Sequence, residues 1–141
     1  LKGFRWYTEG GIGFIDVRDV VNIMIQLMES DLINDKFILS SENLSYRKLM
    51  ELIYTSIGRP LPDKKAGKFI LGIAWRLDKL RSSLSQTRPI LTREVAKYAR
   101  MSLSYSGEKV KKALAFEFIP VSRSVKETAQ HFLSDFPQVK K

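Results

Sequence analysis

The sequence predicts a mainly α-helical chain with two or three short strands that are expected to run parallel, and three observations predict it. Apolar residues recur at three- and four-residue spacing along most of the chain, strand-like apolar runs are few and short, and Gly and Pro fall between the periodic stretches.

The elements follow in order. Gly10-Gly11-Ile12-Gly13 reads as a turn, and Phe14-Ile15-Asp16-Val17 as a strand-like run entering a helix. In that helix Val17, Val20, Val21, Met24, Ile25 and Met28 share one apolar stripe, and Asp16 stands where a side chain caps the first N–H groups. Residues 36–40, Lys-Phe-Ile-Leu-Ser, read as a short buried strand running into a polar turn at 41–43. A buried strand of this kind is ordinarily covered on both faces within a larger parallel sheet, so its partners are expected outside this chain.

A second helix starts at Ser45 with the stripe Tyr46, Leu49, Met50, Ile53 and Ile57, and Gly58 with Pro60 and Pro62 stops it. A third, over 66–84, carries Phe69, Ile70, Ile73, Ala74, Leu77 and Leu80 toward the core, with Arg76, Lys79 and Arg81 facing out. Pro89 breaks the chain, and Thr92 caps a short helix through Tyr98. Residues 101–105 alternate like a brief strand. Ser106 caps a short helix holding Val110, Ala113 and Leu114; the last helix begins near Ser122 or Ser124 and buries Val125, Ala129, Phe132 and Leu133.

At 141 residues and 44% hydrophobic, residues 1–141 suit one compact domain. No stretch is apolar for long enough to span a bilayer and no secretory leader opens the chain, so a cytoplasmic location without a membrane partner is expected. The absence of cysteine excludes disulfides, thiolate metal sites and thiol nucleophiles. The lone His131 makes no metal cluster and reads as a surface residue of the last helix; no metal site is expected. The net charge of +9 favours an anionic partner. Yet Lys64, Lys65, Lys68, Arg76, Lys79, Arg81, Lys109, Lys111, Lys112, Lys140 and Lys141 are dispersed, as on solvated helix faces, and no nucleic-acid-binding motif stands out.

The order of the segments carries a resemblance. Gly13-Phe14-Ile15-Asp16-Val17-Arg18-Asp19-Val20-Val21 resembles the strand-to-helix junction that opens the substrate domain of extended short-chain dehydrogenases, the NAD-dependent epimerase/dehydratase family. Phe37-Ile38-Leu39-Ser40, Leu44-Ser45-Tyr46-Arg47-Lys48-Leu49 and Ile57-Gly58-Arg59-Pro60 are similar to that family's last sheet strand and the helix and turn behind it. Thr92-Arg93-Glu94-Val95, Tyr105-Ser106 with Lys109, Lys112-Ala113-Leu114 with Phe116, and Pro120-Val121 with Ser124-Val125 are similar to its closing helices.

The resemblance implies an α/β, Rossmann-type enzyme of which this chain is the C-terminal substrate-binding lobe. NAD or NADP and the catalytic Ser, Tyr and Lys would belong to an N-terminal part of the same polypeptide. The opening at Leu1, without an initiating signal, reads as a cut end. No catalytic or cofactor-binding residue is expected here, and the chain alone is expected to be inactive and to bind no cofactor. Gly10-Gly11-Ile12-Gly13 lacks the further glycine of a dinucleotide fingerprint. Tyr105 and Lys109 have the Tyr-x-x-x-Lys spacing, but Ser106 and Gly107 look like a helix start that leaves Tyr105 outside and Lys109 inside.

For substrate contact the candidates are Tyr7, Phe14 and Arg18, with Trp6 beside them: the aromatics to line a cleft, Arg18 to touch an anionic group. The structural reading has Asp16 and Asp19 complement the helix dipole at a helix start, with Arg18 between them closing a local ion pair, and it outweighs the functional one. The substrate would be a small molecule such as a nucleotide sugar. The alternatives are a free-standing basic helical module that binds nucleic acid or an acidic protein, and an oligomer-forming domain.

Overall fold

The computed structural model describes residues 6–85 and 92–137, so Pro89, Lys140 and Lys141 lie outside the described residues. In chain order the elements are β1 (Trp6–Tyr7), β2 (Gly11–Phe14), α1 (Val17–Glu29), β3 (Glu42–Ser45), α2 (Tyr46–Ser56), β4 (Lys64–Lys65), α3 (Lys68–Ser85), α4 (Arg93–Tyr98), α5 (Glu108–Leu114) and α6 (Val121–Asp135). Mainly helical content with a few short strands matches the expectation. A uniformly parallel arrangement does not. β1 pairs with β4 in parallel, but β2 pairs with β3 antiparallel, Gly11 opposite Ser45 and Phe14 opposite Glu42.

The expected turn at 10–13 is therefore the start of a strand, and the expected polar turn at 41–43 runs into its partner. Main-chain bonding on both sides of the glycines explains the difference. Gly10 N–H donates to Ala99 O at 3.1 Å and Gly11 N–H to Met101 O at 3.0 Å, while Tyr46 N–H donates to Gly10 O at 2.8 Å. A Cβ on Gly10 would stand 2.6 Å from Ala99 O and 2.7 Å from Met101 O, and one on Gly11 would stand 2.7 Å from Leu44 O. Only glycine lets these chains approach so closely.

The helix starts follow the sequence. Asp16 accepts from Arg18 N–H, Ser45 from Lys48 N–H and Thr92 from Val95 N–H, and Gly58 leaves α2 at φ +68°. At α5 the cap position is Gly107, although the Ser106 hydroxyl still accepts from Glu108 N–H at 3.3 Å. α6 begins at Val121, before either expected serine, because Glu42 Oε1 on β3 accepts the Val121 N–H at 2.9 Å.

The main correction concerns which helix faces are covered. Ile23 and Asp19 are the buried side chains of α1, whereas Val17, Val21, Met24, Ile25 and Met28 are exposed, Met28 at 82%. In α3 Leu71 and Ser82 are buried, and Phe69, Ile70, Ile73, Leu77 and Leu80 are exposed. α1 and α3 thus turn most of their expected core stripes outward, with Val20 and Ala74 half-buried, whereas Val110 of α5 and Ala129 of α6 are buried as expected. The expected strand at 36–40 forms no ladder among the described residues, and Ile38 in it is 54% exposed. The stretch 101–105 contributes only a bridge between Ser102 and Gly11. What is buried is small: Ala66, Leu71 and Ala96 with Trp75 against them, and Ile23, Val110, Val121 and Ala129 elsewhere. α2 packs against α6, and α3 against α4.

Candidate functional site

The junction between β2 and α1 holds the densest polar arrangement. Asp16, 4% exposed, accepts the backbone N–H of Arg18 at 2.8 Å and both Nε (2.9 Å) and Nη2 (2.7 Å) of its guanidinium. The same Nη2 lies 2.7 Å from Glu127 Oε2 on α6, and Glu127 Oε1 accepts from Arg123 Nε at 2.7 Å. The Arg18 guanidinium, foremost, and a hydrogen bond from Ser124 hold the Asp16 carboxyl well below the usual carboxylate range, against the opposing effect of burial. Arg123 and Arg18 likewise lower Glu127.

A carboxylate with a depressed folded-state pKa stabilises the fold above its unfolded pKa, roughly pH 4, and that contribution is lost as pH falls below it. Urea unfolding followed by circular dichroism is expected to show stability dropping below about pH 4. Arg18→Met should flatten that acid limb, and an acid limb unchanged in Arg18→Met would contradict the assignment.

Asp19 stands in the first turn of α1, where it complements the helix dipole as expected, and it does more. It is 2% exposed, and its Oδ2 accepts the Ile119 N–H at 2.8 Å, fastening the α5–α6 connection to α1. Arg18 closes its ion pair on Asp16 and Glu127.

Of the other two candidates, Phe14 is half-buried at the end of β2, its carbonyl accepting from Ser41 N–H at 2.9 Å. Tyr7 is half-buried in β1, with the Arg47 guanidinium 5.0 Å from its ring centre. No hydrogen bond, ion pair or ring contact among the described residues joins Tyr7 to Phe14 or Arg18. Tyr105 lies outside α5 and Lys109 inside it, the placement the sequence predicts; Lys109 binds Asp35 and the Lys36 carbonyl. His131 is exposed on α6. No group of acids and histidine able to hold a metal occurs among the described residues.

A separate concavity lies between α3 and α4. α3 and α4 enclose an open cleft of about 1010 Å³ with Leu71 and Ala96 in its floor. Trp75 and Tyr98 supply aromatic surface, and Arg76, Lys97 and Arg100 supply cations that outnumber the one acid, Glu94. The Arg76 guanidinium lies 4.9 Å from the Trp75 ring centre. Neither Tyr7, Phe14 nor Arg18 lines it. Its sequence signal is the pairing of aromatic and cation at Trp75-Arg76 and within Lys97-Tyr98-Ala99-Arg100. Such a lining can stack a planar ring and neutralise an anionic group.

No protein-family model matches the chain, and no curated protein is similar to it in sequence. In fold it is similar to the crystal structure of gox2253, with a TM-score of 0.69 and 23% identity. The similarity covers 94% of this chain and 40% of that one, so the chain spans well under half of gox2253's length.

Proposed function

We propose that this chain is the substrate-binding lobe of an NAD(P)-dependent epimerase, dehydratase or related reductase, working with an N-terminal part of the same polypeptide that binds NAD or NADP. The observation that carries this reading is the uncovered apolar face of α1, together with the unladdered, partly exposed apolar segment at 36–40. Five large apolar side chains on one helix face exceed what a solvated helix requires and suit burial against further structure. The collinear resemblance to extended short-chain dehydrogenases and the fold shared with part of a longer chain support the same reading.

In this reading the lobe shapes specificity and the absent part carries the chemistry; the nicotinamide supplies hydride transfer when bound. The α3–α4 cleft, with aromatic walls and a cationic rim, suits a nucleoside diphosphate sugar or a similar phosphorylated substrate.

The full-length gene product is expected to exchange hydride between a nicotinamide cofactor and such a substrate, and residues 1–141 alone to show no turnover. Met24→Asp and Met28→Asp are each expected to destabilise the full-length product by about 2 kcal/mol. In residues 1–141 alone they should change stability by less than about 0.5 kcal/mol. Turnover by the 1–141 chain overturns the reading. Binding to duplex DNA that falls steeply with salt, with no cofactor turnover by the full-length product, would favour a basic binding module instead.

A further inference from the structure

The exposed face of α3 differs from that of α1 in its charge. At 100° per residue, Phe69, Ile73, Leu77 and Leu80 fall on one ridge opposite the side that carries buried Leu71 and Ser82. They are 86%, 57%, 61% and 60% exposed. Exposed Arg76 and Lys79 border the ridge on one side and Arg81 on the other. The helix contains one acid, Asp78, which is turned inward, with its side chain 15% exposed and Oδ1 2.9 Å from Arg81 Nη2. Just before the helix, Lys64 is also exposed, its ammonium 5.5 Å from the Trp6 ring centre.

We infer that α3 is an in-plane membrane-docking helix whose ridge Phe69, Ile73, Leu77 and Leu80 enters the headgroup boundary of an anionic lipid surface while Arg76, Lys79 and Arg81 meet the phosphates. Cations on both borders of a single apolar ridge match the cross-section of a helix lying in such an interface. Among the described residues no helix is long and apolar enough to cross a membrane, so the association is peripheral. A second copy of the chain fits the face less well, because an isologous contact would bring two cation-bordered ridges together. The cleft shares Phe69, Ile73 and Arg76 with this face, so its mouth opens beside the lipid. The inference rests on α3 alone and does not depend on the oxidoreductase reading, although Phe69, Ile73 and Arg76 belong to both surfaces.

The test is co-sedimentation of the full-length gene product with vesicles of phosphatidylcholine alone and of phosphatidylcholine with phosphatidylglycerol, with sedimentation velocity run in parallel. Binding is expected only to the anionic vesicles and should weaken as salt is raised. Leu77→Glu should reduce it at least about tenfold and Lys79→Glu roughly fivefold or more, with circular dichroism unchanged because both side chains are exposed. Absence of vesicle binding overturns the inference, as does equal binding to neutral vesicles. So does self-association that Leu77→Glu abolishes while vesicle binding is absent. If Leu77→Glu alters the circular dichroism, Leu77→Ser replaces it, and wild-type binding by a folded Leu77→Ser also overturns the inference.

Discussion

Gly10→Ala is expected to lower the free energy of unfolding by about 3 kcal/mol, the upper end of what overpacking costs, and the melting midpoint by roughly 10 °C. The added methyl meets Ala99 O at 2.6 Å and Met101 O at 2.7 Å, backbone atoms that cannot swing aside as a side chain would. Relieving the contact would mean loosening the hydrogen bonds from Gly10 to Ala99 and from Gly11 to Met101, which tie β2 to the chain after α4. Thermal unfolding followed by circular dichroism measures the change. Gly67→Ala is the matched control, since a Cβ there meets nothing within 4 Å. Equal midpoints for the two variants would contradict the close approach at Gly10.

Asp19→Ala is expected to cost about 3 kcal/mol, because it removes a charged hydrogen-bond acceptor from a fully buried position and leaves the Ile119 N–H without its partner. Asp19→Asn retains an acceptor oxygen and should cost less than half as much. Urea unfolding of the two variants checks the order. Equal losses would mean that negative charge, rather than an acceptor for Ile119, is what the site requires.

The helices were legible because their signals are local. Asp16, Ser45 and Thr92 cap where the sequence places them, and Gly58 ends α2 in the left-handed region. Which face of a helix is covered was not legible, because periodicity shows which residues share a stripe and says nothing of what lies against it. Val17, Met24 and Met28 form the stripe read from the sequence, yet the body of this chain packs on Asp19 and Ile23.

The β2–β3 pair escaped notice for a related reason. It is held by main-chain bonds between a glycine-rich strand and a polar one, in which Glu42 caps α6 and Asn43 bonds both the N–H and the carbonyl of Tyr105. At the candidate site, the structural reading of Arg18 agrees with its observed pairing. Tyr7 and Phe14, near each other in sequence, stand on different strands, β1 and β2. The aromatic and cationic pairs at Trp75-Arg76 and Lys97-Tyr98 are visible in the sequence, but that α3 and α4 meet and turn them to one cleft is a tertiary fact that no local pattern carries.

The most direct test of the substrate-lobe account is the intact mass of the protein produced from its own gene, read together with the coding sequence immediately upstream of Leu1. The account predicts a polypeptide more than twice this size, with a glycine-rich strand-to-helix turn and a Tyr-x-x-x-Lys pair on a helix upstream. A native product of about 16.2 kDa would contradict it, leaving the outward face of α1 to be covered by something other than a cofactor-binding part of the same chain.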